Sequence, residues 1–277
     1  MHTAVLLQQI IKSLEVKKNG LYIDATAGEG GYLKEIINLG GKVLGIDWDE
    51  DQVNILKKEF ENKAKIVWGN FSQIKKIAEK NHFLPVDGII FDLGLSMRQI
   101  SGSRRGFSYK NLNEVLDMRI NKKLKIRASD LVNSLSFKEL YEIFARNSEE
   151  IYSRAICRAI IKRRSLKKIV YVRDLIELIN RVLTNKNYQK KIKVYQRVFQ
   201  ALRIAVNNEF ENLRKGLEGG LKILKKQGRI LVLTFHSLED RIVKKFVKEK
   251  KIRFLTKKPI FGQKSFERSA KLRVISF

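Results

Sequence analysis

The sequence has little of what marks secreted, metal-binding or membrane-spanning proteins. A single cysteine, Cys157, excludes an internal disulfide, and the 3 histidines lie far apart, without cysteine neighbours at ligand spacing. No apolar run reaches the roughly 18 residues of a membrane span, and the first residues lack the basic segment of a secretory signal. With 44% hydrophobic residues and only 2 prolines among 277 residues, the chain should fold into one or two domains. We therefore expect a soluble, cytoplasmic protein with no metal site, in which Cys157 is buried.

Acidic residues are scarce relative to basic ones, but only in part of the chain. The 57 Lys and Arg residues exceed the 29 Asp and Glu residues and give a formal charge of +28. Residues 1–100 contain 13 of each kind, whereas residues 101–194 contain 23 basic and 9 acidic residues and residues 195–277 contain 21 and 7. A biased genome would enrich lysine along the whole chain. The distribution therefore favours a polyanionic partner, such as RNA, DNA or an anionic membrane, without choosing among them.

Short apolar runs alternate with helical patterns in the first hundred residues, and several of the runs end in an acidic residue. This alternation is typical of a parallel, doubly wound α/β sheet, which binds ligands at the carboxyl ends of its strands. Asp49 is placed to cap the helix after the second run. Four strands are predicted, at residues 20–24, 42–46, 65–68 and 86–91.

The alternation stops after Asp92, and residues 104–193 show helical patterns, including a capping box that begins at Ser136. The sequence therefore predicts a Rossmann-like α/β fold in which residues 1–103 and 195–277 form the sheet domain. A basic, helical domain of residues 104–194 is inserted into it. The later predicted elements are helices at 149–161 and 194–224, a strand at 229–235, a helix capped by 237–240 and a last strand at 272–277.

The glycine turn after the first strand indicates the kind of ligand. A dinucleotide fingerprint needs a third glycine three residues after Gly30, and this chain has Leu33 there. Asp47, 19 residues after Gly28, is placed to bind ribose hydroxyls. The pattern suits S-adenosylmethionine better than NAD, although a plain tight turn followed by an acidic residue remains an alternative.

Longer motifs carry a more specific resemblance. They are His2 to Leu7, Tyr22 to Gly31, Gly45 to Asp47, Phe91 to Ser96, Arg105 to Ser108, Leu116 to Arg119, Phe199 to Asn207, Phe235 to Arg241 and Arg268 to Arg273. On these motifs the chain resembles, nearly end to end, the RsmH (MraW) family of S-adenosylmethionine-dependent methyltransferases. The last three motifs are far more specific than a glycine turn.

The resemblance implies a class I methyltransferase fold and methylation of the N4 amine of a cytosine in the decoding region of small-subunit (16S) ribosomal RNA. It implies S-adenosyl-L-methionine as cofactor and the small-subunit ribosomal RNA or the 30S subunit as partner, and it leaves a homodimer open. The family usually has histidine where this chain has Tyr32, and Met97 and Arg98 replace a serine and a proline. The family's cofactor contacts fall on Gly30, Gly31, Tyr32, Asp47, Phe71, Asp92 and Gln99.

The sequence leaves the catalytic group unassigned. The exocyclic amine of cytosine is a weak nucleophile, and a hydrogen-bond acceptor on its N–H would help to localise its lone pair. Asp92 is a candidate acceptor, but the resemblance assigns it to the cofactor. We hypothesise that Asp117, His236 and Glu239 border the target pocket, because their motifs are too polar for plain packing.

The basic half of the chain should bind RNA. Arg154, Arg158 and Lys162 recur at four-residue spacing and predict one ridge of a helix, although a solvated helix face is the alternative. The ridge continues with Arg163, Arg164, Lys167 and Lys168. Two other functions stay open: a methyltransferase that acts on DNA or another RNA, and a non-catalytic RNA-binding assembly factor.

Overall fold

A computed structural model of the chain describes residues 4–262, 264 and 267–276. The chain forms two compact units, which we name the sheet unit (Met1–Gly94 with Phe210–Phe277) and the helical unit (Leu95–Glu209). His2 and Thr3 of the first motif and Phe277 of the predicted last strand lie outside the described residues.

The described elements alternate as the sequence predicts up to the end of the fourth strand. The strands are β1 Leu21–Asp24, β2 Lys42–Asp47, β3 Lys65–Trp68, β4 Val86–Asp92, β5 Leu224–Thr234, β6 Arg253–Phe254, β7 Ile260–Phe261 and β8 Lys271–Ser276. The helices are α1 Leu7–Leu14, α2 Gly31–Asn38, α3 Glu50–Glu59, α4 Ile74–Lys80, α5 Ala128–Ser134, α6 Phe137–Ser148, α7 Ser153–Arg164, α8 Val172–Val182, α9 Tyr188–Asn207, α10 Glu209–Ile223 and α11 Ser237–Glu249.

One sheet organises the sheet unit. Its strand order is β3-β2-β1-β4-β5-β8-β6, and β7 also pairs with β8. The strands β1 to β5 pair in parallel, whereas β8 runs antiparallel to β5. This topology confirms the predicted Rossmann-like α/β class. It brings the carboxyl ends of β1, β2 and β4 to the same edge, where such sheets bind their ligands.

The two faces of the sheet are buried under different helices because successive strand residues point to opposite sides. Ile23 and Leu44 face a cluster that includes residues of α4, α10 and α11. Tyr22 and Val43 face a second cluster that includes residues of α1, α2 and α3. Burial of both faces explains why the strands have continuous apolar runs rather than alternating ones.

The helical unit has its own core, which includes the fully buried Phe144, Cys157 and Leu202. The predicted burial of Cys157 is therefore confirmed. Ser136 begins α6 with the predicted capping box: its hydroxyl accepts the N–H of Glu139, whose carboxylate accepts the N–H of Ser136. Residues 103–127 contain no helix, only turns and an isolated bridge between Val115 and Tyr171. The prediction of helices from residue 104 onward is wrong for that segment.

The predicted helix over residues 194–224 is also wrong, because two helices occupy that region. Asn208 ends α9 in the left-handed conformation, with φ of +50°. Asn207 fixes this position, since its side-chain amide donates to Met118 O at 2.8 Å and its oxygen accepts Ile120 N–H at 2.8 Å. A local helical pattern carries no sign of these distant partners.

The start of one helix and both predicted boundaries of the inserted domain, after residues 103 and 194, also differ in the structure. The helix predicted from residue 149 begins at Ser153, because Glu149 has φ of +52° and ends α6. The predicted domain boundary at 194/195 falls inside the continuous helix α9, and the compact units divide after Gly94 and Glu209 instead.

Within the described residues, no helix is long and apolar enough to cross a membrane.

Candidate cofactor and acceptor site

Asp47, the acid at the end of β2, holds the glycine turn in place. Its Oδ2 accepts the N–H of Gly28 at 2.8 Å, and its Oδ1 accepts the N–H of Asp49 at 2.8 Å. Asp49 in turn caps α3 by accepting the N–H of Asp51. Because a carboxylate has about four acceptor positions, the buried Asp47 can fix both loops and still accept ribose hydroxyls.

The glycines of the turn have different functions. Gly28 and Gly30 adopt φ of +51° and +79°, which only glycine adopts without strain. A Cβ on Gly30 would lie 2.6 Å from Cε2 of Phe60, so that glycine allows α2 and α3 to pack closely. Beside Gly28, the nearest heavy atom to such a Cβ is a backbone oxygen at 3.6 Å. The backbone of Gly28 is therefore open to a ligand.

Three carboxylates meet at the carboxyl ends of β1, β2 and β4. Asp24 is fully buried; its Oδ1 accepts the N–H of Thr26 at 3.2 Å, and its Oδ2 has no hydrogen-bond partner in the described part of the chain. Desolvation raises the pKa of Asp24 to about 8, and the charges of Asp92 and Asp47 add to the rise. Desolvation also raises the pKa values of Asp47 and Asp92 to about 6. This edge would therefore favour a cationic ligand.

Tyr32, where the family usually has histidine, connects Asp92 to the N-terminal segment. Its buried phenol oxygen lies 2.6 Å from Val5 O and 3.0 Å from Asp92 Oδ2. Desolvation and the charge of Asp92 raise the pKa of Tyr32 well above its usual value, so the phenol keeps its hydrogen. The phenol donates to Val5 O and, through the same hydrogen, to Asp92. The side chain of Tyr32 therefore orients Asp92.

His236 and Glu239 form a second polar group, at the end of β5. Nδ1 of His236 accepts the N–H of Glu239 at 3.4 Å, and Oε2 of Glu239 accepts the N–H of Phe235 at 2.8 Å. The ring nitrogen Nε2 therefore carries the imidazole hydrogen; it lies 3.1 Å from Oε1 of Glu239, but outside hydrogen-bond geometry. The helix predicted to be capped by residues 237–240 is thus capped one residue earlier, by His236.

These two groups are electrostatically connected. The buried Glu239 is 3% exposed, and its charge contributes to the raised pKa of Asp92. The structure therefore brings His236, Glu239 and Asp92 to one edge, as the carboxyl ends of neighbouring strands β4 and β5 require. Among the described residues, no group of three or more His, Cys, Asp or Glu side chains could hold a metal ion.

The predicted contacts Phe71 and Gln99 belong to different units. Phe71 follows β3 in the sheet unit and packs edge-on against Phe91, at 5.7 Å between ring centroids, and the residue is partly exposed. Gln99 lies in the helical unit, within the five-residue π-helix Arg98–Gly102, where its Oε1 accepts the N–H of Ser96 at 3.0 Å. The other predicted cofactor contacts lie in the sheet unit: Gly30, Gly31, Tyr32, Asp47 and Asp92.

Asp117 has partners within the helical unit. Its carboxylate accepts from Nε and Nη2 of Arg119 at 2.7 and 2.8 Å, and Arg127 lies 3.7 Å away. Desolvation opposes ionisation, but these hydrogen bonds outweigh it and lower the pKa of Asp117. An alanine variant of Asp117 would therefore remove a carboxylate partner from both Arg119 and Arg127.

The predicted basic ridge is present on α7. Arg154, Arg158 and Lys162 are all exposed on that helix. Arg164 was predicted to continue the ridge, but it donates to the carbonyl oxygens of Val132 and Leu135 at 3.0 and 2.7 Å. Arg164 therefore holds α5 against α7, and a test of phosphate binding has to use the other basic residues.

The donor set fits S-adenosylmethionine. The sulfonium and ammonium groups of this molecule are cations that would stabilise the desolvated carboxylates, whereas a pyrophosphate would be repelled by them. The partnerless Oδ2 of Asp24 is the strongest indication, because a buried acceptor without a donor is costly. Sequence reasoning missed Asp24, although the rule that identified Asp47 and Asp92, an acid at a strand's carboxyl end, applies to it equally.

Comparisons with known proteins identify the family of the chain. The sequence profile of the MraW methylase family matches residues 1–276. The chain belongs to the MraW methylase family. A "Ribosomal RNA small subunit methyltransferase H" of Clostridium botulinum is 39% identical over 303 residues, which span 99% of this chain and 97% of that protein. Proteins of the same name in Caldicellulosiruptor saccharolyticus and Buchnera aphidicola are 40% and 42% identical, over 99% and 90% of this chain and 98% and 81% of theirs.

Membership of the MraW methylase family decides the reaction class. The predicted S-adenosyl-L-methionine-dependent methyltransferase is confirmed. The roles of the individual site residues stay predictions, which rest on the geometry above.

Proposed function

We propose that this chain methylates the exocyclic N4 amine of a cytosine in the decoding region of 16S ribosomal RNA, in the cytoplasm. Family membership supports methylation of small-subunit ribosomal RNA, and the proposal adds the base and the atom. One observation carries it: a carboxylate cluster suited to a cationic methyl donor lies beside acceptor groups at the ends of β4 and β5.

S-adenosylmethionine supplies an electrophilic methyl group, so the protein has to align donor and acceptor rather than form a covalent bond. Asp47 binds the ribose hydroxyls while holding the glycine turn. Desolvation keeps Asp24 mostly protonated at neutral pH, and a bound cation would favour its ionised form, whose Oδ2 has no partner in the described part of the chain. Phe71 would cover the adenine, and the turn of Gly30 and Gly31 would let the backbone come close to the ligand.

Asp92 is suited to the acceptor amine. The lone pair of the N4 amine is delocalised into the pyrimidine ring, and a carboxylate that accepts its N–H hydrogen bond would localise the pair for attack. The N–C bond would form as the bond from sulfur to the methyl group breaks, with the thioether as leaving group, and the amine would lose one proton to the carboxylate or through it to water. With a pKa of about 6, Asp92 is mostly ionised at neutral pH and able to accept. Tyr32 orients this carboxylate, and Glu239 and His236 border the place where the base enters.

Calorimetric titration with S-adenosylmethionine tests the cofactor site. Asp47→Asn puts an amide N–H against one of two backbone N–H groups, so it should weaken binding at least tenfold. Asp87→Asn is the matched control, because Asp87 also accepts a backbone N–H of β1, from Leu21 at 2.8 Å, but near the amino end of β4. Equal affinities in the two variants would contradict the assignment of Asp47.

Incubation with small ribosomal subunits, followed by mass mapping of methylated cytosine, tests the acceptor. The expected product is a single N4-methyl group on one decoding-region cytosine, formed by the wild type and lost in Asp92→Asn. Cofactor binding without this product would direct the search to DNA or another RNA. Failure to bind the cofactor would favour a non-catalytic assembly factor, and sedimentation of the same sample would decide whether the chain forms a homodimer.

A further inference from the structure

Two aromatic rings lie on the surface of the helical unit beside the basic ridge. Phe137 and Tyr141 stand one turn apart on α6, with their rings 5° from parallel and the centroids 6.4 Å apart. Phe137 is 39% exposed although it is a large apolar side chain, and Tyr141 is partly exposed. Tyr141 packs in part against the core of the unit, and the pair presents the rest of its aromatic surface to solvent.

An arginine from the neighbouring helix joins this pair. The guanidinium of Arg154, on α7, lies 5.6 Å from the centroid of the Tyr141 ring, within cation–π distance. The two rings and Arg154 thus form a contiguous group, which we name the aromatic patch (Phe137, Tyr141 and Arg154). Exposed aromatic rings combined with arginine are what single-stranded nucleic acids stack on, because every base has a π-face.

The basic ridge continues from the patch along α7. Arg158 and Lys162 follow Arg154 at four-residue intervals, so the three cations are spaced about 6 Å apart along one side of the helix. The two acidic side chains of α6 are engaged on their own side: Glu139 in the capping box and Glu142 with Arg146 at 3.8 Å. A row of cations that begins at stacking rings is complementary to the phosphates of a strand whose bases are unpaired.

We propose that the aromatic patch and the adjoining ridge of α7 bind single-stranded RNA, with unpaired bases stacked on Phe137 and Tyr141 and phosphates held by Arg154, Arg158 and Lys162. The inference rests on the proposed function only in taking RNA as the ligand. It adds that the chain recognises an unpaired segment of RNA through the helical unit. A duplex keeps its bases stacked inside and cannot present them to the rings, so it would contact only the cations of the ridge.

Binding of a labelled single-stranded RNA, and of the same RNA annealed to its complement, separates the two contributions. The ring variant Phe137→Leu/Tyr141→Leu keeps apolar bulk and every charge. It should bind the single strand about tenfold more weakly, with an unchanged salt dependence and unchanged duplex binding. Tyr141→Phe keeps the ring and should bind like the wild type. The ridge variant Arg158→Gln/Lys162→Gln should reduce the slope of log affinity against log salt by about 1.5 for either RNA.

The inference is overturned if the ring variant binds the single strand as the wild type does, or if it loses single strand and duplex equally. The first result would make the rings a plain helix surface or a contact for protein, and the second would mean that they support RNA binding without stacking on unpaired bases. Thermal unfolding of each variant verifies that the chain is folded. Cofactor affinity should be unchanged in each, since none of these residues lies in the sheet unit. The comparison of the two RNAs measures binding only, so it stays decisive even if no cytosine in the subunit is methylated.

Discussion

The hydroxyl of Tyr32 offers the sharpest test of how the site is built. Tyr32→Phe removes one oxygen and leaves the ring in place. Val5 O and Asp92 Oδ2, which lie 2.6 and 3.0 Å from that oxygen, each lose a donor in a partly buried environment. Loss of a buried hydrogen bond of this kind costs about 2 kcal/mol. In a chain of this size the cost should lower the melting temperature by roughly 5 °C.

The same substitution should change cofactor binding in a pH-dependent way. The hydrogen bond from Tyr32 is one of the interactions that hold down the pKa of Asp92, which desolvation has already raised to about 6. Without it the pKa of Asp92 rises further, so less of the carboxylate is ionised at neutral pH. Relative to the wild type, affinity for the cationic S-adenosylmethionine should therefore fall most at and below about pH 6 and recover as the pH rises toward 8.

Tyr22→Phe is the matched control. Tyr22 is also a buried tyrosine, and its hydroxyl accepts the N–H of Lys17 at 2.7 Å, but it is not in contact with Asp92. Its loss should lower the melting temperature by a similar amount and leave cofactor binding unchanged at every pH. Calorimetric titrations of both variants from below pH 6 to above pH 8 decide the matter. Parallel affinity profiles for the two variants would refute the link between Tyr32 and Asp92.

Three further predictions concern buried or strained positions. The pKa of Asp24 is raised from 3.8 to about 8, so between these values the folded protein holds a proton on Asp24 that the unfolded chain releases. Stability should therefore decline as the pH rises from 3.8 to about 8. Thermal unfolding of Asp24→Asn should lack this part of the pH dependence. Asn208→Ala should lower the free energy of unfolding by about 1 kcal/mol in urea titrations, whereas Asn208→Gly should be nearly neutral, because φ is +50° there. Asp240→Ala should lower the free energy of unfolding by about 3 kcal/mol in the same titrations, because it leaves the buried guanidinium of Arg273 without its carboxylate partner. The double variant Asp240→Ala/Arg273→Met should recover part of that loss. Equal destabilisation of the single and double variants would contradict this prediction.

The sequence by itself determined the elements whose cause is local. Continuous apolar runs specify strands that are buried on both faces, glycines specify the turn before α2, and Asp49 and Ser136 specify helix starts. The order of these elements implied the fold class, and the fold class implied that Asp47 and Asp92 lie at the binding edge. Each of these inferences needs only neighbours in the chain and the general geometry of parallel sheets.

Only the tertiary structure decided which groups have partners from distant parts of the chain. Asn207 breaks a helical pattern because its amide binds the segment around Met118, 89 residues away. Arg164, one of a run of basic residues, is drawn inward by the carbonyl oxygens at Val132 and Leu135. Desolvation raises the pKa of Asp24 for the same reason, since burial is a property of the folded surroundings and not of the residue. The sequence therefore identifies the chemical groups, and the fold determines which of them remain available to a ligand.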